Sequence, residues 1–376
     1  MAGVYVHIPF CASRCSYCDF FSTLRLADAG ESYVKAVVAE ARLRHGELRG
    51  EPVKTFYMGG GTPSQLPLPL LERLVNGLRE TLDLTGVEEF TVEANPDDVT
   101  PEWSAAVVAL DVNRVSMGVQ SFEDDILRLI GRRHTAQQAI DAVTHLRKAG
   151  INNISIDLIY GLPGQTEDSW AESVEQAIAL LPQHISAYGL TYEEGTRLWF
   201  QREHGEVTEV PEEQCLEMYR ILVERLQAAG YEHYEISNFA LPGYHSRHNS
   251  SYWDDTPYLG LGAAAHSYNG MMRRSNPCDL QQYIDTIMAG EMAYEQEELT
   301  IQERFDERVM LGLRTSRGVD AERLRQDFGN EAWLHFTREA QRHIAAGNLH
   351  VVDGNCYVLT RDGIMVSDSV MRDLMW

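Results

Sequence analysis

The chain has 376 residues, of which 44% are hydrophobic, and its 56 acidic and 32 basic residues give a formal net charge of −24. This composition is typical of a globular protein with a large core, and the negative field disfavours a nucleic-acid partner. Because the sequence shows neither a secretory signal nor an apolar stretch long enough to span a bilayer, we expect a cytoplasmic protein in a reducing compartment.

Short β-rich runs alternate with amphipathic helical patterns over the first half of the chain. The predicted strands are Val4–Ile8, Thr55–Met58, Glu89–Val92, Arg114–Val119, Ile154–Ile159 and His184–Leu190. The helices predicted between them are Glu31–Leu48, Leu68–Thr81, a helix opened by Pro101, Thr135–Ala149 and Glu167–Leu180. Six alternations of this kind predict a parallel sheet with helical crossovers.

The alternation ends near residue 195. The elements predicted beyond it are a helix at Pro211–Ala229, a strand at Tyr231–Ile236, helices at Arg304–Leu313, Ala321–Phe328 and Ala332–Ala346, and a hairpin of Leu349–Val352 with Tyr357–Thr360. We therefore divide the chain into a core at 1–230, a connecting segment at 231–300, and a smaller, mainly helical, winged-helix-like domain at 301–376. For an acidic chain we favour a docking or covering role for this last domain over DNA binding.

Three cysteines, Cys11, Cys15 and Cys18, stand close together in the spacing C-x3-C-x2-C. Clustered thiolates in a chain with few other cysteines predict metal ligands. An iron–sulfur cluster usually recruits four thiolates, so three would leave one iron of a [4Fe–4S] cluster open to a small molecule. A structural zinc site with His7 as its fourth ligand is the alternative.

Polar and glycine-rich segments follow successive predicted strands. The cysteines follow the first strand, Gly59–Pro63 follows the second, Glu93–Pro96 the third and Gly118–Ser121 the fourth, while the fifth carries Asp157. Because the carboxyl ends of the strands form one functional face in barrels of parallel strands, these segments predict a single site.

The cysteine spacing after the first strand, together with Gly-Gly-Gly-Thr-Pro after the second, resembles the radical S-adenosylmethionine (radical SAM) superfamily. The resemblance implies a partial (β/α)6 TIM-like barrel, a [4Fe–4S] cluster on the three cysteines, and S-adenosylmethionine on the open iron. Longer strings resemble the coproporphyrinogen III oxidase-like family within it. They are Tyr5–Cys11, Tyr57–Pro63, Gly118–Phe122, Asp157–Pro163 and Tyr258–Gly262.

This resemblance implies roles for residues around the cluster. Gly60, Gly61 and Thr62 would bring backbone close to the methionine moiety, since glycine lacks an obstructing side chain. Tyr5 would donate a hydrogen bond to the same moiety, and Tyr17 would pack against the adenine.

The remaining cofactor contacts are also implied by the resemblance. Glu93 would accept hydrogen bonds from the ammonium group or the ribose. Gln120, Arg132 and Asp157 match positions that contact a second S-adenosylmethionine in the oxidase, and His266 matches a stretch that lies over the cofactor. Structural roles stay open for Glu93, as a helix cap, and for Asp157, as a hydrogen-bonded polar group of the barrel.

Two departures separate this sequence from the oxidase. Asp19 follows Cys18 where the oxidase carries a further cysteine, and the N-terminal extension of the oxidase is missing here. Instead, His248–Trp253 forms an H-N-x-x-Y-W string that resembles the HemW-type heme chaperones, which bind heme and pass it to acceptor proteins.

The heme chaperone resemblance implies heme as a third ligand. His248 is the candidate for the heme iron, with Tyr252 and Trp253 against the macrocycle. Arg247, Arg273 and Arg274 are candidates for the propionates, and His245 and His266 are competing iron ligands. The alternative for His248 is a buried polar residue with satisfied hydrogen bonds.

The main hypothesis is a heme chaperone that binds heme, a [4Fe–4S] cluster and S-adenosylmethionine and transfers heme to an acceptor protein. The alternative is an oxygen-independent coproporphyrinogen III dehydrogenase, which decarboxylates propionates in heme biosynthesis. We assign no catalytic residue, and enzymatic activity stays open. A respiratory, membrane-associated acceptor and a homodimer are further options.

Overall fold

The computed structural model describes residues 1–376 and contains fifteen strands and fourteen α-helices. The strands are β1 (Ala2–Ile8), β2 (Val53–Gly60), β3 (Glu89–Ala94), β4 (Arg114–Gln120), β5 (Asn153–Tyr160), β6 (His184–Gly189), β7 (Glu232–Glu235), β8 (Asn238–Ala240), β9 (Tyr258–Leu261), β10 (His266–Tyr268), β11 (Met272–Ser275), β12 (Glu295–Glu298), β13 (Val319–Asp320), β14 (Leu349–Val352) and β15 (Cys356–Leu359). The helices are α1 (Leu26–Arg44), α2 (Leu68–Arg79), α3 (Pro101–Ala109), α4 (Asp124–Leu129), α5 (Ala136–Ala149), α6 (Glu167–Ala179), α7 (Arg197–Glu203), α8 (Glu212–Ala228), α9 (Arg247–Ser251), α10 (Leu280–Met288), α11 (Ile301–Leu313), α12 (Ala321–Ala345), α13 (Arg361–Met365) and α14 (Ser367–Leu374).

One large sheet runs through the first three quarters of the chain. Six of its strands, β1 to β6, are parallel and lie side by side in chain order, with helices in the crossovers. The predicted fold class, a partial (β/α)6 barrel with a smaller C-terminal domain, is confirmed. The predicted bounds hold within a few residues for most elements, but α1 begins at Leu26 rather than Glu31.

Twelve strands form this sheet, which extends beyond β1 and β6 at both edges; β7 matches the strand predicted at Tyr231–Ile236, whereas β8 to β12 were not predicted. On one side β9 pairs in parallel with β1, and the antiparallel strands β10, β11 and β12 follow it. On the other side β8 and β7 follow β6 in antiparallel pairing. The segment after residue 230 therefore completes the wall of the barrel.

The two faces of the parallel strands differ in polarity, as the alternation of side chains along a strand requires. In β1, Val4, Val6 and Ile8 are fully buried in the core shared with the helices. Tyr5 and His7 point to the other face, where their rings lie 6.1 Å apart between centroids. The barrel interior is consequently polar and can support a site.

The C-terminal domain has a hydrophobic core of its own. Phe305 of α11 and Phe336 of α12 lie in that core, together with the three-stranded sheet β13–β15–β14. The two helices predicted at Ala321–Phe328 and Ala332–Ala346 both form within α12, because the non-helical backbone of Gly329, with a φ of 88°, separates them. None of the helices is both long and apolar enough to cross a lipid bilayer. The three-part division of the chain stays a prediction.

Candidate functional site

A cavity opens where the carboxyl ends of β1, β2 and β3 meet the C-terminal domain. We call it the mouth cavity; its volume is about 690 Å³. Its lining residues are Tyr5, His7, Asp19, Phe20, Phe21, Gly60, Glu93, Tyr252, Trp253, Asp255, Tyr258, Ala264, His266, Tyr268, Arg273, Cys278, Glu307 and Leu311. Four predicted cofactor residues, Tyr5, Gly60, Glu93 and His266, are thus brought together there. The volume and the mixed aromatic and charged lining are typical of a small-molecule site.

The three clustered cysteines lie half-buried on the loop that follows β1. The Cys11 sulfur lies 3.3 Å from the Thr62 hydroxyl, so the loops after β1 and β2 meet there. Burial raises the pKa of Cys18 to about 11 and also raises that of Cys11. Cys15 and Cys18 line a second cavity of about 660 Å³ between this loop and α7.

The donor set of this loop fits an iron–sulfur cluster better than a single zinc ion. A structural zinc ion needs four protein ligands, and the three clustered cysteines supply three. His7, the proposed fourth zinc ligand, has both ring nitrogens engaged, at 3.1 Å from the Tyr5 hydroxyl and 3.0 Å from the Phe21 carbonyl oxygen. The zinc alternative therefore lacks its fourth ligand.

Arg132 and Tyr17 flank the cysteines. The Arg132 guanidinium donates to the Cys15 sulfur over 3.4 Å, and also to Asn95 and to the Gly118 carbonyl. Burial raises the pKa of the Tyr17 phenol, and its ring packs against a small apolar cluster. A cation beside the thiols would offset the negative charge of a thiolate-bound cluster.

The glycines at the end of β2 and directly after it are required because the backbone there approaches other parts of the protein closely. A Cβ on Gly60, whose φ is +106°, would lie 2.4 Å from the His7 ring, and one on Gly61 would lie 2.7 Å from the Ile8 carbonyl oxygen. The Gly61 amide already donates to Ile8 and the Thr62 amide to Phe10. The predicted contacts of Gly61 and Thr62 with the methionine moiety thus stay predictions and would not use these amides.

Glu93 lines the mouth cavity near the carboxyl end of β3. Its carboxylate accepts from the Tyr57 hydroxyl over 2.7 Å and from the Gly60 amide over 3.1 Å. Burial raises the pKa of this carboxyl group to about 7. It does not cap the following helix, whose N-cap is Thr100. Glu93 therefore carries a carboxyl group that changes charge near neutral pH.

Gln120 and Asp157 lie along the rim and interior of the barrel, away from the lining of the mouth cavity. Gln120 adopts a φ of 68° at the end of β4. Asp157 accepts from the Ser116 hydroxyl over 3.3 Å, and burial raises the pKa of its carboxyl group. Both positions stay predicted contacts of a second S-adenosylmethionine, and the hydrogen bonds of Asp157 also fit the structural alternative.

His248, the predicted heme ligand, closes the amino end of the barrel instead of lining the cavity. It is 1% exposed, with Nδ1 at 2.8 Å from the Thr55 hydroxyl and Nε2 at 2.9 Å from the Tyr252 hydroxyl. Its backbone amide donates to Glu89 over 2.9 Å, and burial lowers its pKa to about 3. In this conformation the imidazole has no free nitrogen for iron, and its role as a ligand stays a prediction.

Other residues of the same string do reach the mouth cavity. Tyr252 and Trp253 line it, and Tyr252 packs edge-on against Tyr258 with 4.7 Å between ring centroids. Tyr258 and Tyr268 continue this aromatic wall, with 6.5 Å between their rings. The contribution of Tyr268 to this wall was missed because Tyr268 lies on a three-residue strand, and its neighbours are visible only in the fold.

Comparisons with known proteins agree with this geometry. The family model described as the radical SAM superfamily matches residues 5–177, and that of the HemN C-terminal domain matches residues 299–366. Heme chaperone HemW of Lactococcus lactis is 39% identical over 87% of this chain and 85% of its own. Heme chaperone HemW of Bacillus subtilis is 36% identical over 98% of both chains.

Among solved structures, coproporphyrinogen III oxidase (HemN) from Escherichia coli, a radical SAM enzyme, superposes with a TM-score of 0.87. The match covers 99% of this chain and 89% of that one at 24% identity, so it establishes the shared fold. The two HemW relatives are each more than a third identical to this chain over most of its length. This identity and the two matched domains assign the chain to a narrower family than the fold alone does. The chain belongs to the radical SAM superfamily and, within it, to the family of the heme chaperone HemW.

Proposed function

We propose that this protein binds heme in the mouth cavity, beside a [4Fe–4S] cluster and S-adenosylmethionine, and transfers the heme to an acceptor protein. The observation that carries the proposal is the position of Tyr252 and Trp253, which lie in one cavity with Gly60 and Glu93. Aromatic side chains bind a flat apolar macrocycle well. The names of the HemW relatives support the same conclusion.

Different residues of the chain would bind the cluster and S-adenosylmethionine. Cys11, Cys15 and Cys18 would hold the cluster, which supplies a redox-active iron with one open position for S-adenosylmethionine. Glu93 and Tyr5 would orient the amino acid part of S-adenosylmethionine. Since free thiols persist in reducing compartments, we propose that the protein works in the cytoplasm.

The affinity for S-adenosylmethionine is expected to depend on the charge of Glu93. Because the pKa of this carboxyl group is raised to about 7, it is charged above that pH and becomes protonated below it. A charged carboxylate binds the ammonium group or ribose more strongly, so affinity should fall by up to about tenfold per pH unit below pH 7. Anaerobic calorimetric titrations between pH 5.5 and 8 measure this.

The matched control is Glu93→Gln, which keeps the shape but cannot titrate. The amine of the free ligand titrates in the same way in both experiments, so the difference between wild type and variant isolates the contribution of Glu93 to the complex. Identical pH profiles for the two proteins would show that this carboxyl group does not contact the ligand.

The proposed function is tested by reconstituting the full chain anaerobically with iron and sulfide, and then titrating it with heme, with and without S-adenosylmethionine. We expect stoichiometric heme binding and transfer of the heme to an apo-globin added as acceptor. A Cys11/Cys15/Cys18 triple alanine variant tests whether the cluster controls the transfer. Decarboxylated product from coproporphyrinogen III, without heme binding, would instead establish the dehydrogenase.

A further inference from the structure

The histidines around the site differ in the availability of their ring nitrogens. Both ring nitrogens of His7 and of His248 are hydrogen-bonded within the protein. His245 is bonded to Glu232 over 2.8 Å and does not line the mouth cavity. His266 lines the cavity, is exposed, and makes no side-chain hydrogen bond. Of these four imidazoles, only that of His266 is free to bind a ligand in the cavity.

The hairpin of β10 and β11 gives His266 suitable neighbours. His266 and Tyr268 are two residues apart on β10 and therefore share one face of the strand, and both line the cavity. Arg273 of β11 stands directly opposite Tyr268 and also lines the cavity. Tyr258 of β9 pairs with Tyr268 from the other side. One face of the sheet thus presents an imidazole, two phenol rings and a guanidinium.

Arg273 already binds a carboxylate. Its guanidinium lies 2.7 Å from Glu307 of the C-terminal domain, yet the arginine side chain remains 44% exposed. A guanidinium carries five N–H donors, so it can bind a second carboxylate or exchange the first one. A propionate is a carboxylate on a short flexible chain and suits this position.

We propose that His266 ligates the heme iron in the mouth cavity, with the macrocycle against Tyr258 and Tyr268 and a propionate on Arg273. This inference rests on the proposed heme binding and names the residues that carry it. Neutral imidazole is a standard axial ligand of heme iron. The bond forms by donation of the free ring lone pair to iron, with no other bond broken.

The test is a titration of the reconstituted full chain with ferric heme, followed by absorption and electron paramagnetic resonance spectra. We expect His266→Ala to change the Soret band and the spin state of the iron, and to weaken binding by at least about tenfold. Imidazole added to a His266→Gly variant should restore the wild-type spectrum, which a merely structural role would not allow. Arg273→Gln should weaken binding without changing the spectrum.

The matched control is His245→Ala, which removes a half-buried histidine outside the cavity and should leave the spectrum unchanged. Wild-type heme binding combined with an unaltered spectrum for His266→Ala would overturn this inference alone. The inference would also be overturned if His248→Ala lost the wild-type spectrum while His266→Ala kept it. The same holds if His266→Ala lost only its affinity for S-adenosylmethionine. A wild-type chain that binds no heme would overturn the proposed function as well.

Discussion

Replacing any one of Cys11, Cys15 and Cys18 with alanine is expected to abolish the [4Fe–4S] cluster. Each thiol would hold a different iron, and two remaining ligands do not retain a four-iron cluster that already has one open position. Iron content should fall from about four atoms per chain to near zero, and the visible absorption of the cluster should disappear. The cysteines are half-buried on a loop outside both hydrophobic cores, so the melting temperature of the apoprotein should change little.

The matched controls for this loss are Cys278→Ala and Cys356→Ala. Cys278 is an exposed thiol and Cys356 a half-buried one, and neither lies in the C-x3-C-x2-C spacing. Both variants should keep a full complement of iron. A cluster that survives in a Cys15→Ala variant, or that is lost in both controls, would contradict the assignment.

Replacing Glu40 with alanine is expected to lower the free energy of unfolding by about 3–5 kcal/mol. The buried carboxylate accepts from Arg44 over 2.7 Å, Tyr283 over 2.6 Å, Asn276 over 2.8 Å and the Gly262 amide over 2.8 Å. Without Glu40, the guanidinium of Arg44, which is 1% exposed, loses its innermost counter-charge. Urea unfolding of the apoprotein, monitored by circular dichroism, measures the loss.

A second carboxylate on the same helix provides the control. Glu31 is exposed on α1 and pairs with Arg73 over 2.9 Å. Because solvent screens such surface pairs, Glu31→Ala should leave the unfolding midpoint unchanged. If the two variants unfold at the same urea concentration, the buried ion pair of Glu40 stabilises the protein no more than the exposed ion pair of Glu31 does.

Local patterns predicted the parallel strands well, for a physical reason. Strands such as β5 are buried on both faces and therefore appear as short, nearly continuous apolar runs. The addition of β9 beside β1 was not predictable in this way. Tyr5 pairs with Gly260 in the register of these strands. The sequence around Gly260 contains no pattern that identifies a pairing partner so distant in the chain. A Cβ on Gly260 would lie 1.8 Å from the His266 carbonyl oxygen, and that constraint is also visible only in the fold.

The residues of the candidate site also differ in how far local sequence patterns predict their positions. The positions of the cysteines after β1 and of Glu93 near the end of β3 were predictable, because spacing and strand patterns are local properties of the sequence, while their roles as ligands stay predictions. The position of His248 depends on Thr55 and Glu89, which come from two distant strands. A short string that contains histidine, tyrosine and tryptophan therefore suggested a ligand. It could not show which of its rings faces the cavity.

The separate core of the C-terminal domain has a consequence for the mouth cavity. On the side of the mouth cavity this domain is attached by ion pairs of Arg308 with Asp255 and of Arg273 with Glu307. Salt weakens such pairs where solvent reaches them, but backbone hydrogen bonds of Ile236 with Arg314 and of Ser316 with Tyr234 also join the domain to the β7 edge of the large sheet. Raised salt should therefore loosen the wall of the mouth cavity without detaching the domain.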